Sequence, residues 1–102
     1  MDILPVHYRG KTAKFPSILP TDNNCCRSIQ KGVFYEIAML KYIASLSQKG
    51  TYIDVGANIG NHTAFFAAHC PATFIYAIEP DDQCYEYLVR MVYSNLWQSR
   101  VH

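Results

Sequence analysis

Asp54, Gly56, Gly60 and Glu79 stand at a spacing that suits a nucleoside-bearing ligand. Gly56 closes the short apolar run Tyr52-Ile53-Asp54-Val55, where a backbone without Cβ can turn sharply and admit a ligand to close range. Gly60 opens a helical stretch whose first N–H groups lack intrahelical partners, a positive pole that favours a carboxylate or a phosphate. Glu79 ends a second apolar run, in the place where a carboxylate accepts hydrogen bonds from a ribose diol. Residues 51–80 therefore read as strand, glycine turn, helix, strand and terminal acid, a βαβ unit with its ligand at the loop ends.

The glycine positions discriminate between ligands. A dinucleotide fingerprint G-x-G-x-x-G counted from Gly56 requires glycine at 58 and 61, where this chain has Asn58 and Asn61. The pattern acidic-x-G-x-G-x-G is met by Asp54, Gly56 and Gly60, with Asn58 alone departing. A phosphate-binding loop of the G-x-x-x-x-G-K-[ST] kind is absent. The comparison favours S-adenosylmethionine over NAD, and an NAD-dependent oxidoreductase stands as the weaker alternative.

The run Asp54-Val55-Gly56-Ala57-Asn58-Ile59-Gly60-Asn61-His62-Thr63, followed by Ala77-Ile78-Glu79-Pro80, resembles the FkbM family of S-adenosylmethionine-dependent methyltransferases. That family's turn is commonly D-V-G-A-N-x-G, so Asn58 belongs to the resemblance. Phe34-Tyr35-Glu36 and Met39-Leu40 are similar to the family's preceding helix, and the likeness extends over roughly residues 32–95. It implies that Gly56, Ala57, Asn58, Gly60 and Asn61 form the cofactor loop, lining the methionine moiety partly through backbone groups. By the same resemblance Asp54 holds the foot of the loop or meets the cofactor's ammonium through water, and Glu79 takes the ribose hydroxyls. The implied acceptor is a hydroxyl of a sugar or other small natural product. Transfer from an activated sulfonium relies on proximity and orientation, with a base needed only to deprotonate the acceptor. No residue of this chain is assigned as that base.

Other chemistry-bearing residues have plainer readings. His62 is a polar residue at a helix start before it is a catalytic one, Glu36 an exposed helical acid before it is a cofactor contact, and Tyr35, Tyr85 and Tyr87 are core aromatics before they are adenine-stacking ones. Asn61-His62-Thr63 spells a glycosylation sequon, taken as coincidence inside a ligand loop. Cys25, Cys26, Cys70 and Cys84 have no Cys-x-x-Cys spacing, which removes the common zinc patterns; they read as reduced thiols, with Cys84 in the core. No metal site is expected.

The elements that must position this loop follow from periodicity. Residues 1–32 hold Pro5, Pro16 and Pro20 and two β-prone pieces, around 3–8 and 13–18, which make an N-terminal arm or a hairpin. Thr21-Asp22-Asn23-Asn24 is a turn by composition. Val33, Ile37, Leu40 and Ala44 give one apolar face to a helix over 33–48, stopped by Gly50. Strands follow at 52–55 and 73–78, with a helix over 61–70 between them. A last helix, opened by Asp81 and Asp82, runs to about Trp97, with Cys84, Leu88, Met91 and Val92 inward, Asn95 or Leu96 continuing the stripe, and a Glu86–Arg90 pair outward.

Residues 33–102 are thus the N-terminal part of a methyltransferase domain: an α/β, Rossmann-like, doubly wound parallel sheet of which only the N-terminal half is present. The chain of 102 residues is 50% hydrophobic and 17% charged, a globular composition. A net charge of +1 supplies no field for nucleic acid or anionic lipid, and no apolar run suits a membrane. With no signal-peptide pattern at the start, a cytoplasmic location is the expectation. The expected function is methyl transfer by a truncated enzyme, the alternative being a binding remnant without turnover.

Overall fold

The structure is a computed structural model and describes residues 2–102. Strands β1 (Ile3–Tyr8) and β2 (Lys11–Pro16) form an antiparallel hairpin, turned through Arg9 and Gly10, both in the left-handed region. The hairpin is no loose arm. Val6, Ala13 and Phe15 are buried, and the Tyr8 ring packs on Phe34 and Phe65. The polar cluster after it does more than turn the chain. Asn23 accepts a hydrogen bond from the Cys26 N–H (2.9 Å) and so caps a helix, α1 (Asn24–Gln30), which periodicity does not announce.

The helix expected over 33–48 is shorter, α2 (Ile37–Ser45). Gly32 and Glu36 both have positive φ (79° and 59°), which breaks helical continuity, and Val33, placed on the apolar face by spacing, is 51% exposed. Only Leu40 of that stripe is fully buried in α2. The βαβ unit follows: β3 (Gly50–Val55), α3 (Asn61–His69) and β4 (Ala72–Ile78), the two strands parallel. Asp81 accepts a hydrogen bond from the Cys84 N–H and caps α4 (Asp82–Ser94). Cys84, Leu88, Met91 and Val92 face inward as their spacing requires, and Arg90 reaches Glu86 at 3.0 Å. The helix stops short of Trp97, because Asn95 ends it and Leu96 turns left-handed (φ 61°) and points to solvent.

Beyond α4 the chain returns to the sheet. The N–H groups of Ile75 and Ala77 donate to the carbonyls of Arg100 and His102, and His102 N–H donates back to Ile75, so residues 100–102 lie parallel to β4. This places β4 between β3 and the C-terminal segment. Pleating then divides the sheet into two unlike faces. Asp54 and Ile75 are buried on the face that carries α3. Ile53, Val55, Phe74, Tyr76 and Ile78, on the opposite face, are all exposed. The expected doubly wound sheet is therefore not formed by the described residues: helices cover one face of a small parallel sheet.

Candidate functional site

The loop from Gly56 to Gly60 is held by the sheet it leaves. Gly56 and Ala57 both donate their N–H to the Ile78 carbonyl (2.8 and 3.0 Å), binding the turn to the end of β4. Glu79 completes the fastening. One carboxylate oxygen accepts from the Asn58 N–H at 2.6 Å and the other from the Asp81 N–H at 2.9 Å. A single side chain thus joins the glycine loop to the start of α4.

Three loop residues are left-handed: Gly56 (φ 73°), Asn58 (56°) and Gly60 (94°). Asparagine tolerates that conformation better than most residues. Its Oδ1 also accepts from the Ile59 N–H at 2.9 Å, which explains why Asn58 can stand where a related pattern has glycine. The two glycines differ. A Cβ on Gly56 would meet nothing within 4 Å, so that side of the turn is open to a ligand. A Cβ on Gly60 would lie 2.5 Å from Met91 Cε and 2.7 Å from Leu88 Cδ1, so its bareness serves the packing of α4.

Asp54 is 6% exposed and accepts a hydrogen bond from Thr63 Oγ1 at 2.7 Å, tying β3 to α3 beneath the loop. Asn61, 2% exposed, spends its amide on backbone: Oδ1 accepts from Tyr35 N–H and Nδ2 donates to Tyr35 carbonyl, both at 2.9 Å. Periodicity gives no hint of this clamp, which draws residues 35 and 36 against the loop from 26 positions away.

Beside the clamp lies an open cavity of about 200 Å³, lined by Gly56, Ala57 and Asn58 from the loop, Asn61 and His62 from α3, and Cys25, Tyr35 and Glu36 from the preceding segment. Glu36 is therefore at the cavity wall and not an ordinary helical acid. Its Oε1 lies 3.0 Å from His62 Nε2, and since a carboxylate only accepts, that nitrogen carries the proton. Neither lysine nor arginine lines the cavity among the described residues. Burial, followed by the neighbouring Cys26 thiol and then the Glu36 and Asp54 carboxylates, pushes the Cys25 thiol up to about 12. It is a neutral thiol at physiological pH, without the thiolate that redox or nucleophilic chemistry needs. All four cysteines are free.

The tyrosines separate by environment. Tyr87 is buried and donates to the Pro16 carbonyl at 2.6 Å, a core contact with the hairpin. Tyr85 is exposed and lines a groove between α4 and the C-terminal segment, away from the loop. Among the described residues no cluster of His, Cys, Asp and Glu could hold a metal ion, and no helix is long and apolar enough to cross a membrane.

No protein-family profile matches the chain, and no curated protein sequence does. Solved structures do. A Pyrococcus horikoshii protein assigned provisionally as a transferase, PH0793, superposes with a TM-score of 0.59 at 17% identity. The P. horikoshii protein TYW2, solved in complex with MeSAdo, superposes with the same TM-score and identity. The chain shares their fold. The alignments cover 98% of this chain and 34% of each of theirs, so it spans about a third of their length.

Proposed function

We propose that the chain is the cofactor-binding part of an S-adenosylmethionine-dependent methyltransferase acting on a hydroxyl of a sugar or small natural product. One observation carries the reading: the glycine loop opens onto a cavity whose charged wall is the Glu36 carboxylate, with no lysine or arginine in its lining. Such a wall suits the cationic arm of S-adenosylmethionine and repels the pyrophosphate of a dinucleotide, which the N-terminus of α3 would have to hold against it. The MeSAdo bound by the fold neighbour TYW2 supports an adenosyl ligand. The resemblance of the Asp54–Thr63 loop and of Glu79-Pro80 to the FkbM family supports methyl transfer to oxygen.

In this reading Gly56, Ala57 and Asn58 face the methionine arm and Gly60 keeps the loop seated on α4. Asp54 and Asn61 position the walls, and Glu79 accepts from the ribose diol with the lone pairs its two backbone bonds leave over. The chemistry asks little more of these residues than orientation, because the sulfonium is already activated. A second reading has its own support. The bare sheet face and the absence of an assigned acceptor base favour a fragment that binds cofactor without turnover. Incubation with methyl-labelled S-adenosylmethionine and a panel of hydroxylated acceptors separates the two. Saturable binding of the cofactor is the expected result on either reading; label in an acceptor's ether supports the first, and binding with no label in any acceptor supports the second.

A further inference from the structure

We infer that Glu36 is the anchor for the ammonium of the ligand's amino-acid arm, held ready by His62 and by the Asn61 clamp. The inference rests on the proposed S-adenosylmethionine site and adds a residue to it that the glycine-loop pattern leaves out.

Four observations meet at this side chain. Glu36 precedes α2 with a left-handed backbone (φ 59°, ψ 42°) and makes no capping hydrogen bond to its own helix. A non-glycine residue held there is strained and persists only where its surroundings enforce it. The enforcement is visible one residue earlier, where both backbone groups of Tyr35 are bonded to the buried Asn61 amide. The strained turn brings Glu36 to the wall of the cavity that the glycine loop also lines. There Oε1 is fixed by His62 Nε2 at 3.0 Å, and Oε2 takes no hydrogen bond from the described residues. The carboxylate is oriented, half exposed, and has a full oxygen to offer.

The cavity's size and charge say what that oxygen would meet. At about 200 Å³ it is smaller than the roughly 300–1,000 Å³ of a site for a whole drug-sized ligand, so it suits one arm of a longer molecule. An ammonium donates three hydrogen bonds and accepts none, and an oriented carboxylate in a lysine-free wall is its complement. Methylthioadenosine, which has the same nucleoside and sulfur but no amino-acid arm, has nothing to give Glu36.

Titration calorimetry on the full chain with S-adenosylmethionine and with methylthioadenosine tests the assignment in wild type, Glu36→Gln and Glu36→Gly. Both substitutions are expected to weaken S-adenosylmethionine at least tenfold and to leave methylthioadenosine within twofold. Glu36→Gly should also melt no lower than wild type, because glycine relieves the left-handed strain. That combination, equal or higher stability with selective loss of the armed ligand, is not produced by a structural acid. Unchanged affinity for both ligands overturns the inference and leaves the proposed function standing. Equal weakening of both shows that Glu36 only shapes the pocket and also overturns it. Failure of wild type to bind either ligand overturns the proposed function and this inference with it.

Discussion

Gly56 and Gly60 share a left-handed backbone but answer to different neighbours. At Gly56 the surrounding space is empty, and a methyl group there meets only the conformational penalty, about 1–2 kcal/mol. At Gly60 the methyl group also collides with Met91 and Leu88, both in the core, and overpacking of this kind adds about 1–3 kcal/mol. Gly60→Ala is therefore expected to lower the melting temperature well beyond Gly56→Ala, by about 5–15 °C more for a domain of this size. Gly56→Ala is expected to weaken ligand binding with the smaller change in stability. Paired thermal melts and ligand titrations check both, and equal melting temperatures would contradict the division of roles. The same contrast shows what a motif conveys: Gly56 and Gly60 are equal members of a glycine pattern, yet only one has open space before it. The partner atoms of Gly60 lie in α4, some 30 residues on, where no local pattern points to them.

At the scale of elements, the βαβ unit and α4 were legible because their signals are local. The β-branched and aromatic run of β4, the carboxylate cap at Asp81 and the inward stripe of α4 each act within one element. The segment before β3 was not legible for the opposite reason. The break at Glu36 is imposed by Asn61, and α1 depends on a cap at Asn23 inside a cluster that composition alone assigns to a turn. Helix α3 carries a titrating group that reports on its packing against the hairpin. His69 lies among the rings of Tyr8, Phe34 and Phe65. Burial first, then Lys11 and Arg9, holds its pKa below the ordinary 6.5. The unfolded chain therefore takes up the proton before the folded one does as pH falls. The stability linked to His69 is complete above about pH 6.5 and is lost as pH falls below it towards the lowered folded value. His69→Phe, which retains an aromatic ring, is expected to lose less stability than wild type between about pH 7 and pH 5. Chemical denaturation at the two pH values measures the difference, and identical losses would contradict it.

For the whole molecule, the unlike faces of the sheet have a consequence in solution. Ile53 opposite Tyr76, and Val55 opposite Ile78, form an exposed apolar surface beside an edge of β3 that pairs with no strand among the described residues. Contiguous apolar patches of this sort promote association, and an uncovered strand edge adds hydrogen-bonding capacity to it. Sedimentation of the 102-residue chain is expected to show concentration-dependent association. The double substitution Ile53→Lys with Tyr76→Glu, a cross-strand pair of opposite charges, is expected to reduce it. Wild type that stays monomeric at all concentrations would contradict this reading of the face.

The loop leaves the C-terminal end of these same strands, held there by the Ile78 carbonyl, and the central claim concerns what it and its cavity hold. Glycines at 56 and 60, a left-handed Asn58, the Glu79 fastening and an acid-walled cavity together favour an adenosyl ligand with a cationic arm over a dinucleotide. The most direct measurement is calorimetric titration of the chain with S-adenosylmethionine and, separately, with NAD. Saturable one-to-one binding of S-adenosylmethionine, with no heat of binding for NAD, is the predicted result; saturable binding of NAD without binding of S-adenosylmethionine would contradict it.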